Sequence, residues 1–140
     1  MKTIKLYLSH PIRGDNSQKM SENNKAAIVG ANFLRTFFKA IMLKENLPLI
    51  ELYVPAEHEE FIWLAYQKQF LTLEQILAVD CEILRNTDAL LYWSRTKSNG
   101  MKVEKKFAQE NKIPIFIIKE KFISSSTLLR LKKFIKFLIK

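Results

Sequence analysis

An alternation constrains this chain more than any other feature. Four short apolar runs, Thr3–Ser9, Leu49–Val54, Asp88–Trp93 and Ile113–Ile118, are separated by segments long enough for helices. Runs of that length bounded by polar or helix-breaking residues read as buried strands. The segments between them carry apolar residues at helical spacing. Ala27, Ile28, Ala31, Leu34, Phe38 and Ile41 mark one helix from Ser21, a candidate cap, to about Glu45. Ile76, Leu77, Val79, Ile83 and Leu84 mark another, capped by Thr72 with Glu74-Gln75 close to the capping-box position, and ending near Asn86. Val103, Phe107 and Ala108 mark a third, from Met101 to Asn111. Breakers punctuate the pattern: Pro11 and Gly14 in the loop His10 to Asn16, Asn46-Leu47-Pro48 after the first helix, and Pro55 after the second strand. Pro114 stands at a strand opening, where it is tolerated. Strands alternating with helices predict an α/β fold, a flavodoxin-like doubly wound parallel sheet of four to five strands with right-handed crossovers.

Two segments fit the pattern less tightly. Ala56 to Phe70 reads as irregular or helical. Ser124-Ser125-Ser126 reads as a linker and cap before a closing amphipathic helix from about Thr127 to Lys140, with Leu128, Leu131, Ile135 and Leu138 on one face. Docking on the sheet or on a second subunit suits that helix better than a membrane surface.

Composition narrows the function classes. The chain has 140 residues, one domain by length, and 48% hydrophobic residues, enough for a core. A single cysteine, Cys81, excludes an internal disulfide and a multi-cysteine zinc site, and reads as a core thiol. With only His10 and His58 besides, neither a metal nor another cofactor is expected. Met1-Lys2-Thr3 leads straight into a strand-like run without a secretory leader. No run is expected to reach the ~18 apolar residues that a membrane span needs. The expectation is a cytoplasmic protein with no membrane partner. The net charge of +9 invites nucleic acid. Many of the lysines are scattered over helix faces, so a solvated surface is the preferred reading and a nucleic-acid partner is not expected.

In open parallel sheets, ligands bind outside the carboxyl ends of the strands. The loops there, Ser9–Asn16, Pro55–Glu59 and Ser94–Gly100, offer with their neighbours Tyr7, His10, Arg13, Glu57, His58, Ser98 and Glu104. Asp80 lies on the helix before the third strand. Glu104 falls in the opening turns of its helix, where the positive end of the dipole favours an ionised carboxylate. By itself such a glutamate is an ordinary dipole partner, Tyr7 a packing residue and Ser98 a cap. Two carboxylates, a phenol, a guanidinium and a hydroxyl, with no Ser-His-Asp order, fit carboxylate chemistry at an acetal-like carbon better than acyl transfer.

Three segments carry a resemblance. Tyr7-Leu8-Ser9-His10-Pro11-Ile12-Arg13-Gly14 resembles the first-strand signature of the nucleoside 2-deoxyribosyltransferase superfamily, which includes the 2'-deoxynucleoside 5'-phosphate N-hydrolases. Asp80 to Ala89 is similar to the family's Asp, helix, Asp-Ala/Val segment. Ser98 to Ala108 is similar to its Ser-x-Gly-x-x-x-Glu-x-x-x-Ala segment. The three occur in the family's order, and Pro55-Ala56-Glu57-His58 with its helical insert looks closest to a short, often phage-associated branch. His10-Pro11 departs from the Gly and Ser that the nucleotide hydrolases tend to carry there.

The resemblance implies cleavage, or transfer, at the N-glycosidic bond of a nucleoside or deoxynucleoside 5'-monophosphate. Glu104 would be the nucleophile, Asp80 the acid that protonates or holds the departing base, and Tyr7 the group that holds the glutamate. Ser98 and Arg13 would bind the 5'-phosphate, with Ser9, His10, Gly100 and His58 as further substrate contacts. It also implies a homodimer or higher homo-oligomer. Two rivals share the scaffold: a non-catalytic nucleotide-binding or sensing module, and a TIR-like NAD glycohydrolase.

Overall fold

The computed structural model describes residues 2–11, 17–93 and 99–140, with backbone alone over 17–21. Four strands form one sheet: β1 Ile4–Ser9, β2 Ile50–Tyr53, β3 Ala89–Trp93 and β4 Ile115–Ile118. They pair in the order β2-β1-β3-β4, every pair parallel. The helices are α1 Ser17–Glu45, α2 Glu59–Gln67, α3 Leu73–Arg85, α4 Asn99–Glu110 and α5 Ser125–Leu138, with a 3-10 turn over Pro55–His58. This is the flavodoxin-like doubly wound arrangement. The chain runs outward from β1 to β2, returns past β1 to β3, and continues to β4. The order therefore reverses between β1 and β3.

The period of two along β1 sorts the core into two layers. Ile4, Leu6 and Leu8 join a cluster with Ala27, Leu34 and Phe38 of α1 and Leu131 and Ile135 of α5. Tyr7 points the other way, to a cluster with Leu84 of α3, Leu90 and Tyr92 of β3, and Met101 and Ala108 of α4. Burying a Leu or Phe side chain fully contributes on the order of 1.5–3 kcal/mol. Truncating Leu34 to Ala would open a cavity costing about 2–5 kcal/mol.

Local chemistry sets most boundaries. Thr72 caps α3 in a full capping box: its hydroxyl accepts from the Gln75 N–H at 3.1 Å, and the Thr72 N–H donates to Gln75 Oε1 at 2.8 Å. Ser124 caps α5, accepting from the Thr127 N–H at 3.3 Å. With glycine scarce, α1, α2 and α4 end on Asn46, Gln69 and Lys112 with positive φ. The amides that follow fold back onto Met42, Ala65 and Ala108, which satisfies helix-end carbonyls.

Several expectations need correction. Helix α1 already includes Ser17–Met20, a turn ahead of Ser21, and Gln18, Lys19 and Met20 are good helix formers that nothing interrupts. Helix α4 already includes Asn99 and Gly100, ahead of the expected Met101. The segment after β2 is a 3-10 turn followed by α2. Contrary to the expectation on apolar length, Glu22–Glu45 within α1 is long and apolar enough to cross a membrane, with a mean hydropathy of 1.4. In this fold Ala27, Ala31, Leu34, Phe38 and Ile41 of that helix are buried in the core cluster.

Candidate active site

Tyr7 and Ser9 stand two residues apart near the carboxyl end of β1 and so project to one face. Helix α4 covers that face and turns Met101, Glu104 and Ala108 inward, the spacing of one helical stripe. The Glu104 carboxylate thereby arrives beside β1. The Tyr7 hydroxyl donates to Oε2 in a short hydrogen bond, and the Ser9 hydroxyl donates to Oε1 at 2.8 Å. Each carboxylate oxygen thus has its own neutral donor. Ser9 is fully buried and Glu104 is 6% exposed. The group lies toward the carboxyl end of β1, beside the β1/β3 reversal.

Asp80, also 6% exposed, lies on the inner face of α3 with Ile76, Cys81 and Leu84. Its field reaches the same neighbourhood as that of Glu104. Burial first, then the Glu104 and Asp80 charges, push the Tyr7 phenol far above its ordinary range, so it stays protonated and donates. Burial, Asp80 and then Glu104 push Tyr53 up to about 12. The Cys81 thiol is raised by burial, then Glu104 and Asp80; the Tyr92 phenol is raised by burial, then Glu104. Tyr7 feels Glu104 more than Asp80, and Tyr53 feels Asp80 more than Glu104. Both carboxylates therefore act on the Tyr7 and Tyr53 phenols. A buried carboxylate oriented by hydroxyls, with a second carboxylate nearby, can serve as nucleophile or base while its neighbour handles a proton.

Tyr53 is the site residue that the sequence reading missed. It pairs in register with Tyr7, their ring centroids 5.4 Å apart. His58 stacks on Tyr53 at 5.2 Å with the rings 14° from parallel. The turn carrying His58 is pinned by Arg35, which donates to both Glu57 oxygens at 2.5 and 2.6 Å and to the Leu52 carbonyl at 3.0 Å. The usable signal was alternation within β2, which sets Tyr53 off the face shared by Ile50 and Leu52.

The structure brings Tyr7, Ser9 and Glu104 together, with Asp80 acting on their surroundings and His58 joined through Tyr53. Ser9, expected among the substrate contacts, is engaged by Glu104. His10 turns to the opposite face: its Nδ1–H donates to the Pro11 carbonyl at 2.9 Å, and its ring meets Trp93 edge-on at 5.5 Å. Gly100, within α4, is half-buried. Arg13 and Ser98 lie outside the described residues. No protein-family model, curated protein or solved structure matches the chain, so the geometry at Glu104 carries the functional argument.

Proposed function

We propose that the protein cleaves, or transfers at, the N-glycosidic bond of a nucleoside or deoxynucleoside 5'-monophosphate, with Glu104 as nucleophile. The observation that carries this reading is a buried carboxylate held on both oxygens by Tyr7 and Ser9 at the sheet's topological reversal. In the proposed reaction a Glu104 oxygen attacks the anomeric carbon as the carbon–nitrogen bond breaks. The base leaves with a proton supplied through Asp80. The resulting ester is opened by water, which regenerates the carboxylate, or by a second base. Tyr7 and Ser9 fix the attacking oxygen in place before the substrate arrives, and such orientation lowers the entropic part of a barrier.

The test is a base-release assay. The protein and its Glu104→Gln variant are incubated with nucleosides, deoxynucleoside monophosphates and NAD, and the products are separated by chromatography. Release of a base by the first protein and not by the variant is expected. Nicotinamide release alone would favour the NAD glycohydrolase. Absence of release from every member, with the protein folded, would overturn catalysis in favour of a nucleotide-binding module.

A further inference from the structure

A second concavity opens at the same edge of the sheet but on the α1/α5 face, away from Glu104. It has a volume of about 390 Å³ and is walled by His10, Val29, Gly30, Phe33, Trp93 and Phe122. Small-ligand pockets run from about 300 to 1,000 Å³ and are mostly apolar with a few polar groups. Val29, Phe33 and Phe122 are 69%, 46% and 81% exposed, an apolar surface gathered around one hollow. Its floor is built in place. The Trp93 ring lies against the bare Cα of Gly30, where an added Cβ would stand 2.8 Å from Cη2 and closer still to Cζ3. The Trp93 indole N–H donates to the Glu120 carbonyl at 2.6 Å, which fixes the ring.

Charge then chooses the occupant. Lys25 and Lys121 line the hollow, and among the described residues no carboxylate does. The nearby Glu120 carboxylate accepts from Thr127 and Ser124 instead. Aromatic faces with two cations on the lining complement a flat ring that carries negative charge. We infer that the cleft bounded by Trp93, Phe33 and Phe122 binds a small planar aromatic anion, through ring contacts and charge pairing with Lys25 and Lys121. It is a site separate from Glu104 and stands whether or not the glycosidic reading holds.

The test uses 2-naphthalenesulfonate as probe and uncharged 2-naphthalenemethanol as control, by titration calorimetry and by the two indole N–H resonances. One sulfonate per chain is expected, with the Trp93 signal shifting and that of Trp63 unmoved. The alcohol should bind roughly tenfold or more weakly, and the Lys25→Gln/Lys121→Gln double variant should lose a similar factor for the sulfonate. Those substitutions lie on the surface and leave the Trp93–Gly30 floor intact. Equal affinity for sulfonate and alcohol, indifference to the lysines, or a shift at Trp63 alone would overturn the inference. So would a dimer that the Phe122→Glu substitution turns into monomers, because a second copy would then be the occupant.

Discussion

Ser9 and Glu104, 95 residues apart in the chain, meet with hydroxyl and carboxylate oxygens 2.8 Å apart. Tyr7 takes the other oxygen from the same strand. Parallel pairing of β1 with β3, and the packing of α4 against β3 and β4 with Glu104 turned inward, make this contact, which no local propensity could. Removing one donor from a buried carboxylate leaves an oxygen short of a partner, which costs about 1–3 kcal/mol. Ser9→Ala and Tyr7→Phe should each lower stability to denaturant by about that much. Under the glycosidase reading both should also lower turnover, whereas Glu104→Gln abolishes it. Unchanged turnover in both donor variants, with stability reduced, would make the pair structural only.

Tyr53 reports on Asp80. Its phenol is pushed up to about 12 by burial first, then by the Asp80 and Glu104 charges. Removing a negative charge relieves the phenolate that ionisation creates, so the pKa should fall. Asp80→Asn should lower it more than Glu104→Gln does. The ring carbon resonance bearing the Tyr53 hydroxyl, assigned by loss in Tyr53→Phe, follows the titration directly. A larger drop in the Glu104 variant would show that Asp80 acts on Tyr53 less than Glu104 does.

Gly30 is a helical glycine whose replacement should run against the usual trend. At an unconstrained helix position, alanine in place of glycine stabilises by about 1 kcal/mol. Here the added Cβ meets the Trp93 ring, which the Glu120 carbonyl and the His10 edge hold in place. Overpacking of this kind costs about 1–3 kcal/mol, so the clash should win. Gly30→Ala should lower the melting temperature and change tryptophan emission, and Gly30→Val should do more of both. A stabilised Gly30→Ala protein would mean that the indole moves aside at little cost.

The parts of this fold legible in the sequence are those with a strong period. The four apolar runs became four parallel strands, and the stripe through Val103, Phe107 and Ala108 located α4, although its inward line proved to be Met101, Glu104 and Ala108. The motif around Tyr7 and the position of Glu104 led to a real contact. What stayed hidden depends on three dimensions. Whether Ser9 faces a substrate or Glu104 is decided by where α4 lands. Tyr53 joins the site only through its register with Tyr7. His10 could have been separated from Ser9 on alternation alone, since consecutive strand residues face opposite ways. That α1 extends ahead of Ser21 was hidden because a serine reads as a cap, while Gln18, Lys19 and Met20 before it propagate a helix equally well.

The closing helix is tied to α1 through one carboxylate. Glu45, in the last turn of α1, accepts from Lys132 at 3.1 Å and from Lys136 at 2.8 Å, two residues one turn apart on α5. A glutamate at a helix carboxyl end faces the negative pole of the dipole, and the two ammonium groups offset that. The hydrogen bonds from Lys136 and then Lys132 hold the Glu45 carboxyl down at about 2, against an ordinary 4.5. A carboxyl lowered on folding is protonated more readily in the unfolded chain, so its stabilisation is complete above the unfolded value. It is lost as pH falls from about 4.5 through about 2. Glu45→Gln should therefore be less stable than the parent protein at neutral pH, and the gap should close across that window. Lys136→Gln should reproduce more of the effect than Lys132→Gln, and added salt should shrink it, because the pair is near the surface. Denaturant midpoints of the parent and Glu45→Gln, measured from neutral pH down to about 2, supply the check. A constant gap over that range would mean that Glu45 contributes packing and not charge.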